Sequence, residues 1–372
     1  MRPRASVARL VKDKRVVICA GSGGVGKTTT SAALAMGLAA RGAKVAVVTI
    51  DPAKRLADSL GLAALDNQPR LVDPARFAGH GIEMRGELWA MMLDPKRTFD
   101  ELIGRLAVDE REREEVLANR IYQELSNAVA GSQEFTAIAK LYELDREGDF
   151  DVLVLDTPPS RNALDFLDAP DRLTNFFEGR ALRVFLAPTG LAARVVGRGT
   201  AVVFSVLRRV TGVDLLSDLS VFFRALGGLI DGFRERARAV KELLADPGTT
   251  FLIVTSPEHE PVEEAIFFRG KLEEAAMPFG GLVINRVQPA VGLDREPRAV
   301  RRELAGELGE PLAAKVAAAY ADARALAQRD AASIARLRSE LGVKDPVIVP
   351  QLAGDVHDID GLVAVHAHLF GS

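Results

Sequence analysis

Cysteine is almost absent: Cys19 is the only one in 372 residues. That excludes a disulfide within the chain and any zinc site that needs two thiolates from one chain. Neither sign of charge dominates, since 48 Lys and Arg stand against 51 Asp and Glu for a net charge of −3. A globally basic nucleic-acid binder is thereby excluded, and no nucleic-acid partner is expected. No apolar stretch of about 18 residues runs free of charge, so no membrane-spanning helix is expected. The opening residues MRPRASVARLVKDKR lack the apolar region of a signal peptide, which points to a cytoplasmic place. Internal repeats and low-complexity linkers are also missing. Against these absences stands an apolar fraction of 48% with 27% charged residues, enough to build a sizeable core.

Short apolar runs recur along the chain. Residues 15–20 (RVVICA) and 44–50 (KVAVVTI) bracket a small-residue, helix-patterned stretch over 28–40, with Gly42 after it. Strand, helix and strand within so few residues make a βαβ unit and imply a parallel sheet. Residues 88–93, 150–155, 250–255, 281–285 and 347–349 repeat the buried-strand pattern, with helical stretches between most of them. The fold expected is a doubly wound, mainly parallel α/β sheet. Residues 295–341 read as charged surface helices broken near Pro311. Residues 163–244 show no clear strand pattern, yet hold eight of the 17 phenylalanines. They read as a helical subdomain inserted into a P-loop domain made of residues 1–162 and 245–372.

Gly21-Ser22-Gly23-Gly24-Val25-Gly26-Lys27-Thr28 has the spacing G-x-x-x-x-G-K-[ST], after an expected strand and before an expected helix. Glycines let backbone N–H groups converge on phosphates, and the helix N-terminus adds partial positive charge. Lys27 is placed for the β and γ phosphates, Thr28 for Mg²⁺ and Thr29 for the α phosphate. Asp156 ends the strand FDVLVLD, where a carboxylate points at the metal from the ligand edge of the sheet. Asp51 ends another strand in TIDPAKR and can orient the attacking water. Lys27 and Asp51 are thus the candidate catalytic residues. Thr28, Asp51 and Asp156 form the candidate metal set, and ATP and Mg²⁺ are the expected cofactors.

The segments GSGGVGKTTTSAALA, TIDPAKRLADSLG, LWAMMLDP, VLDTPPS, VINRV and VPQLAGDV, in that order, resemble the ArsA-like ATPases. That family includes the arsenical-pump ATPase subunit and the ATPase that targets tail-anchored membrane proteins. The resemblance implies roles for further residues. Asn285 would read adenine with Arg286 beside it, and Pro350, Gln351 and Leu352 would form the other wall of the base pocket. Asp51 would be the switch I carboxylate and Asp156 the switch II residue. The resemblance also implies an ATPase that closes as a homodimer, or as a heterodimer with a paralogue, and handles a hydrophobic client helix or a membrane partner. A peripheral place at a membrane goes with that role.

The alternatives are an ATP-dependent dimer switch of the MinD and ParA type, or the energiser of an anion or metalloid efflux pump. The resemblance implies a lysine where this chain has Ser22, one that reaches the partner's phosphates. Serine supplies no such charge, so Arg55, Arg161 or a non-identical partner is expected to replace it, and hydrolysis is expected to be slow. The cysteines that hold arsenite or zinc in relatives are missing, which argues against the pump reading. His366 and His368, two apart on an expected helix, face different sides and make a poor metal pair.

Overall fold

In the computed structural model the described residues are 6–51, 53–119, 122–123, 133–157, 229–289 and 295–371. Eight strands form one sheet in the order β3-β4-β2-β5-β1-β6-β7-β8. They are β1 Val16–Ala20, β2 Lys44–Thr49, β3 Arg70–Leu71, β4 Glu87–Met92, β5 Val152–Asp156, β6 Thr249–Thr255, β7 Phe279–Val287 and β8 Val347–Pro350. Every pairing is parallel except that of β3 with β4. The fold is therefore the expected α/β class. The chain first winds out to one side of β1 and later to the other, so β1 sits where the winding reverses. In open α/β sheets that crevice, beyond the carboxyl ends of the strands, is where ligands bind.

The strands are apolar throughout because helices cover both faces. Alternate residues of β1 feed two cores: Val16, Ile18 and Ala20 face one, Val17 and Cys19 the other. The first core is closed by α2 (Pro95–Leu106), α3 (Gln133–Glu147), α4 (Ile230–Ala245) and α5 (His259–Glu274). The second is closed by α1 (Lys27–Ala40) and α8 (Ile359–Phe370). Small residues on α1 allow α8 to come close: a Cβ on Gly37 would lie 2.1 Å from the Phe370 ring. His366 belongs to this contact, with its ring centroid 4.8 Å from that of Phe370. Burial lowers its pKa to about 4, so it is a neutral packing residue.

Three features of the chain differ from the sequence reading or refine it. The edge strand β3 was not foreseen; its two residues are exposed and pair antiparallel with β4. The break expected near Pro311 in the charged helical stretch is there, and falls at Gly309. Helix α6 (Pro297–Leu308) ends there with Gly309 at φ 73°, and Pro311 lies in the first turn of α7 (Glu310–Glu340). Proline suits that first turn because no intrahelical partner awaits its missing N–H. Residues 158–228, most of the expected helical insert, lie outside the described residues. Its final stretch forms α4, where Phe233 is fully buried and stacks on Phe99 with centroids 5.6 Å apart.

Candidate nucleotide site

The loop between β1 and α1 folds as its glycines require. Gly21, Gly24 and Gly26 have φ of 154°, 78° and 92°. A Cβ on Gly21 would lie 1.9 Å from the Val254 carbonyl oxygen of β6. Gly21→Ala is therefore expected to cost about 3 kcal/mol or more of stability, through backbone strain and a clash with main chain that has nowhere to go. Thermal unfolding checks this; an unchanged midpoint would show that β6 yields. A Cβ on Gly26 would lie 2.3 Å from Asn285 Nδ2. That approach exists because Asn285 Nδ2 donates to the Val25 carbonyl at 2.9 Å, bracing the loop from β7. Asn285 can aim there because the β7–β8 register shifts between Ile284 and Val287, with Arg286 at φ 57°. Irregularities of this kind re-aim a side chain at the edge of a site.

Lys27 opens α1 and is only 6% exposed. Its ammonium donates to the carbonyls of Gly21 at 2.8 Å and Ser22 at 2.7 Å. Burial pulls its pKa below the ordinary lysine range, while the carboxylates of Asp156, Glu264 and Asp51 act against that. Thr28 Oγ1 donates to Asp156 Oδ2 at 2.7 Å, and Thr49 Oγ1 donates to the same oxygen at 2.9 Å. Burial pushes the Asp156 pKa up to about 6 against both hydrogen bonds and Lys27. Its other oxygen, Oδ1, is buried with no hydrogen-bond partner among the described residues. A buried carboxylate oxygen left open beside a threonine hydroxyl fits a hard divalent cation, which prefers oxygen ligands. Asp51 stands at the next strand end. Its Oδ1 accepts from the Ala53 N–H at 2.9 Å, and its Oδ2 lies 3.5 Å from Arg55 Nη1.

These residues surround a cavity of about 410 Å³. Of the residues expected at the site, Gly24, Gly26, Lys27, Thr28, Thr29, Asp51, Asn285, Arg286, Pro350, Gln351 and Leu352 line it. Gly21, Ser22, Gly23 and Val25 belong to the same loop but do not line the cavity, and Val25 is buried beneath it. Asp156 also lies behind the wall, tied to it through Thr28. The sequence reading missed Asp58, Ser59, Asp355 and His357, which also border the cavity. It missed Glu264 as well. That carboxylate on α5 accepts a 2.6 Å hydrogen bond from Ser22 Oγ, so the hydroxyl is directed at α5.

A larger cavity of about 800 Å³ opens at the amino ends of β2 and β4, beside Lys44, Trp89 and Phe150. Charges on its wall are taken up in ion pairs, among them Arg97 with Glu101 at 3.2 Å and Lys140 with Glu101 at 3.5 Å. The chemistry-bearing motif is at the smaller cavity.

The phosphate-loop architecture and the positions of Asp51 and Asp156 define an α/β P-loop protein. The sequence profile described as the anion-transporting ATPase matches residues 14–304, and the chain belongs to that family. Among its relatives, a protein of Aquifex aeolicus named as an arsenical pump-driving ATPase is 29% identical over 68% of this chain and 58% of its own length. ATPase GET3 of Malassezia globosa is 30% identical over 44% of each chain. ATPase GET3A of Arabidopsis thaliana is 26% identical over 77% of this chain and 71% of its own. The chain thus spans about half the length of the first two relatives. Among the described residues no helix is long and apolar enough to cross a membrane.

Proposed function

We propose that this chain is an ATPase that binds MgATP in the cavity of Lys27, Thr28, Asp51 and Asn285 and couples its hydrolysis to the handling of a hydrophobic client. The observation that carries the reading is the meeting of Thr28 and Asp156 at 2.7 Å with Asp156 Oδ1 buried and unpartnered, next to the Lys27 ammonium. Thr28 and Asp156 would hold the magnesium, with Asp51 nearby. The metal, when bound, offsets phosphate charge as it builds toward the transition state.

The protein's own groups do the rest. The loop amides and Lys27 fix the phosphates. Thr29, which lines the cavity, takes the α phosphate in this reading. Asp51 orients a water toward the γ phosphate, and positioning of this kind is most of what phosphoryl transfer asks of a protein. Asn285, Arg286, Pro350, Gln351 and Leu352 form the end of the cavity away from Asp51 and receive the base.

Dimer closure on ATP and a client helix seated on the insert of residues 163–244 complete the proposal. Residues 163–228 of that insert lie outside the described residues, and the phenylalanine content of 163–244 supports the second part. Metalloid transport is disfavoured on chemistry. Soft metalloids need thiolates, and burial raises the pKa of Cys19, the single cysteine, to about 12.

Calorimetry and phosphate release on the purified chain test the core of this reading. Uptake of ATP that requires magnesium, followed by slow release of phosphate, is expected. No uptake at millimolar magnesium overturns it. Light scattering with and without a non-hydrolysable ATP analogue tests closure, for which a nucleotide-dependent doubling of mass is expected.

A further inference from the structure

We propose that Arg55 is a further catalytic residue, supplying within the chain the second cation that the γ phosphate needs. The inference rests on the ATPase reading above and concerns the charge balance of that site. A magnesium-bound triphosphate is still a dianion, and its transition state spreads charge over the outer oxygens. The loop itself offers one ammonium, Lys27. Its tip, Ser22-Gly23-Gly24, adds none. The Ser22 hydroxyl instead donates to Glu264 at 2.6 Å and so brings a carboxylate up behind the loop. Asp51 and Asp156 add further negative charge on the other side. One cation among three carboxylates leaves the phosphate end under-compensated.

Among the described residues, the other permanently charged cations on the cavity wall are Arg55 and Arg286. Arg286 follows Asn285 on β7, at the far end from Asp51. Lys54, one residue before Arg55, is not on this wall; it borders a second, small cavity that Thr49, Asp51, Leu56 and Met92 also line. Of the two arginines on the cavity wall, Arg55 is the one paired with Asp51, 3.5 Å from its Oδ2, at the start of a short helix over Arg55–Ser59. Its side chain is 64% exposed. An exposed ion pair of this kind holds a guanidinium only weakly, so Arg55 can leave Asp51 for a phosphate oxygen. A guanidinium suits that task because its planar fork matches two phosphate oxygens at once. The same exchange would release Asp51 to accept from the attacking water.

The test compares wild type, Arg55→Ala and Arg55→Lys in three measurements on the full chain: ADP affinity, MgATP turnover, and affinity for ADP with aluminium fluoride. Arg55→Ala is expected to lower turnover by about 10²-fold, as loss of one charge-stabilising donor does elsewhere. KM and ADP affinity are expected to stay within about threefold. The tightening of ADP by aluminium fluoride seen in wild type should disappear in Arg55→Ala and return in part with Arg55→Lys. Equal turnover and equal tightening in wild type and Arg55→Ala overturn the proposal while leaving the ATPase reading intact. So does a fall in ADP affinity parallel to the fall in rate, which marks a purely structural role. A wild-type chain that takes up no nucleotide overturns the ATPase reading and this inference together.

Discussion

Lys27→Ala should weaken ATP binding by about 10²-fold or more, roughly 2.7 kcal/mol, and leave the fold in place. Both halves follow from the position of the ammonium. Lys27 is 6% exposed and holds the Gly21 and Ser22 carbonyls at 2.8 and 2.7 Å. Without it, phosphates entering the loop meet those carbonyls and the nearby carboxylates of Asp51 and Asp156 with the loop's own ammonium gone. Charge-assisted hydrogen bonds carry about 1.5–3 kcal/mol each, so losing one or two to the phosphates accounts for the expected drop. Stability should change much less. Burial already disfavours the charged lysine, as its lowered pKa shows, and removing it relieves that cost while two loop contacts are lost. Calorimetry with ATP and magnesium, run beside thermal unfolding, gives both numbers. Wild-type affinity in Lys27→Ala would remove the phosphate loop from the account.

How far the site could be read from the sequence depended on how local each device is. The loop was legible because eight consecutive residues carry its whole chemistry. Asp51 and Asp156 were legible because each ends a run whose burial on both faces shows as unbroken apolar residues, such as Val152–Asp156. The edge strand β3 was not, because two exposed residues leave no periodicity to read. The bracing of the loop was equally hidden. Glu264 reaches Ser22 across 242 residues, and Asn285 reaches Val25 across 260. Neither contact leaves a spacing signature. The second depends on a register shift in β7 that only the assembled sheet reveals. The break near Pro311 shows the opposite case: it was legible within two residues, and Gly309 is what supplies it. Proline is at home in a first turn, and a glycine at positive φ is what ends the preceding helix.

Asp156→Asn should separate the cost of the buried carboxylate from its use. Its folded pKa is pushed up to about 6 by burial, above the ordinary value of 3.8. The folded state thus holds this proton more tightly than the unfolded chain does. The stabilisation from that proton is fully present below about pH 4 and is lost as pH rises through about 6. Asparagine does not titrate. The nucleotide-free wild type is therefore expected to lose on the order of 3 kcal/mol relative to Asp156→Asn between pH 4 and pH 7, at 1.36 kcal/mol per pKa unit.

Saturating MgATP should oppose this loss at pH 7. A ligand at a hundred times its dissociation constant stabilises the folded state by about 2.7 kcal/mol. Wild type would gain this through Asp156 Oδ1, the oxygen left without a partner among the described residues. The variant puts a neutral amide in its place, which lacks the negative charge that draws the cation. Denaturant midpoints at two pH values, with and without MgATP, measure all four corners. Parallel pH profiles for the two proteins would show that Asp156 is not held at the cost described. An equal gain from MgATP in both would show that its open oxygen faces no metal.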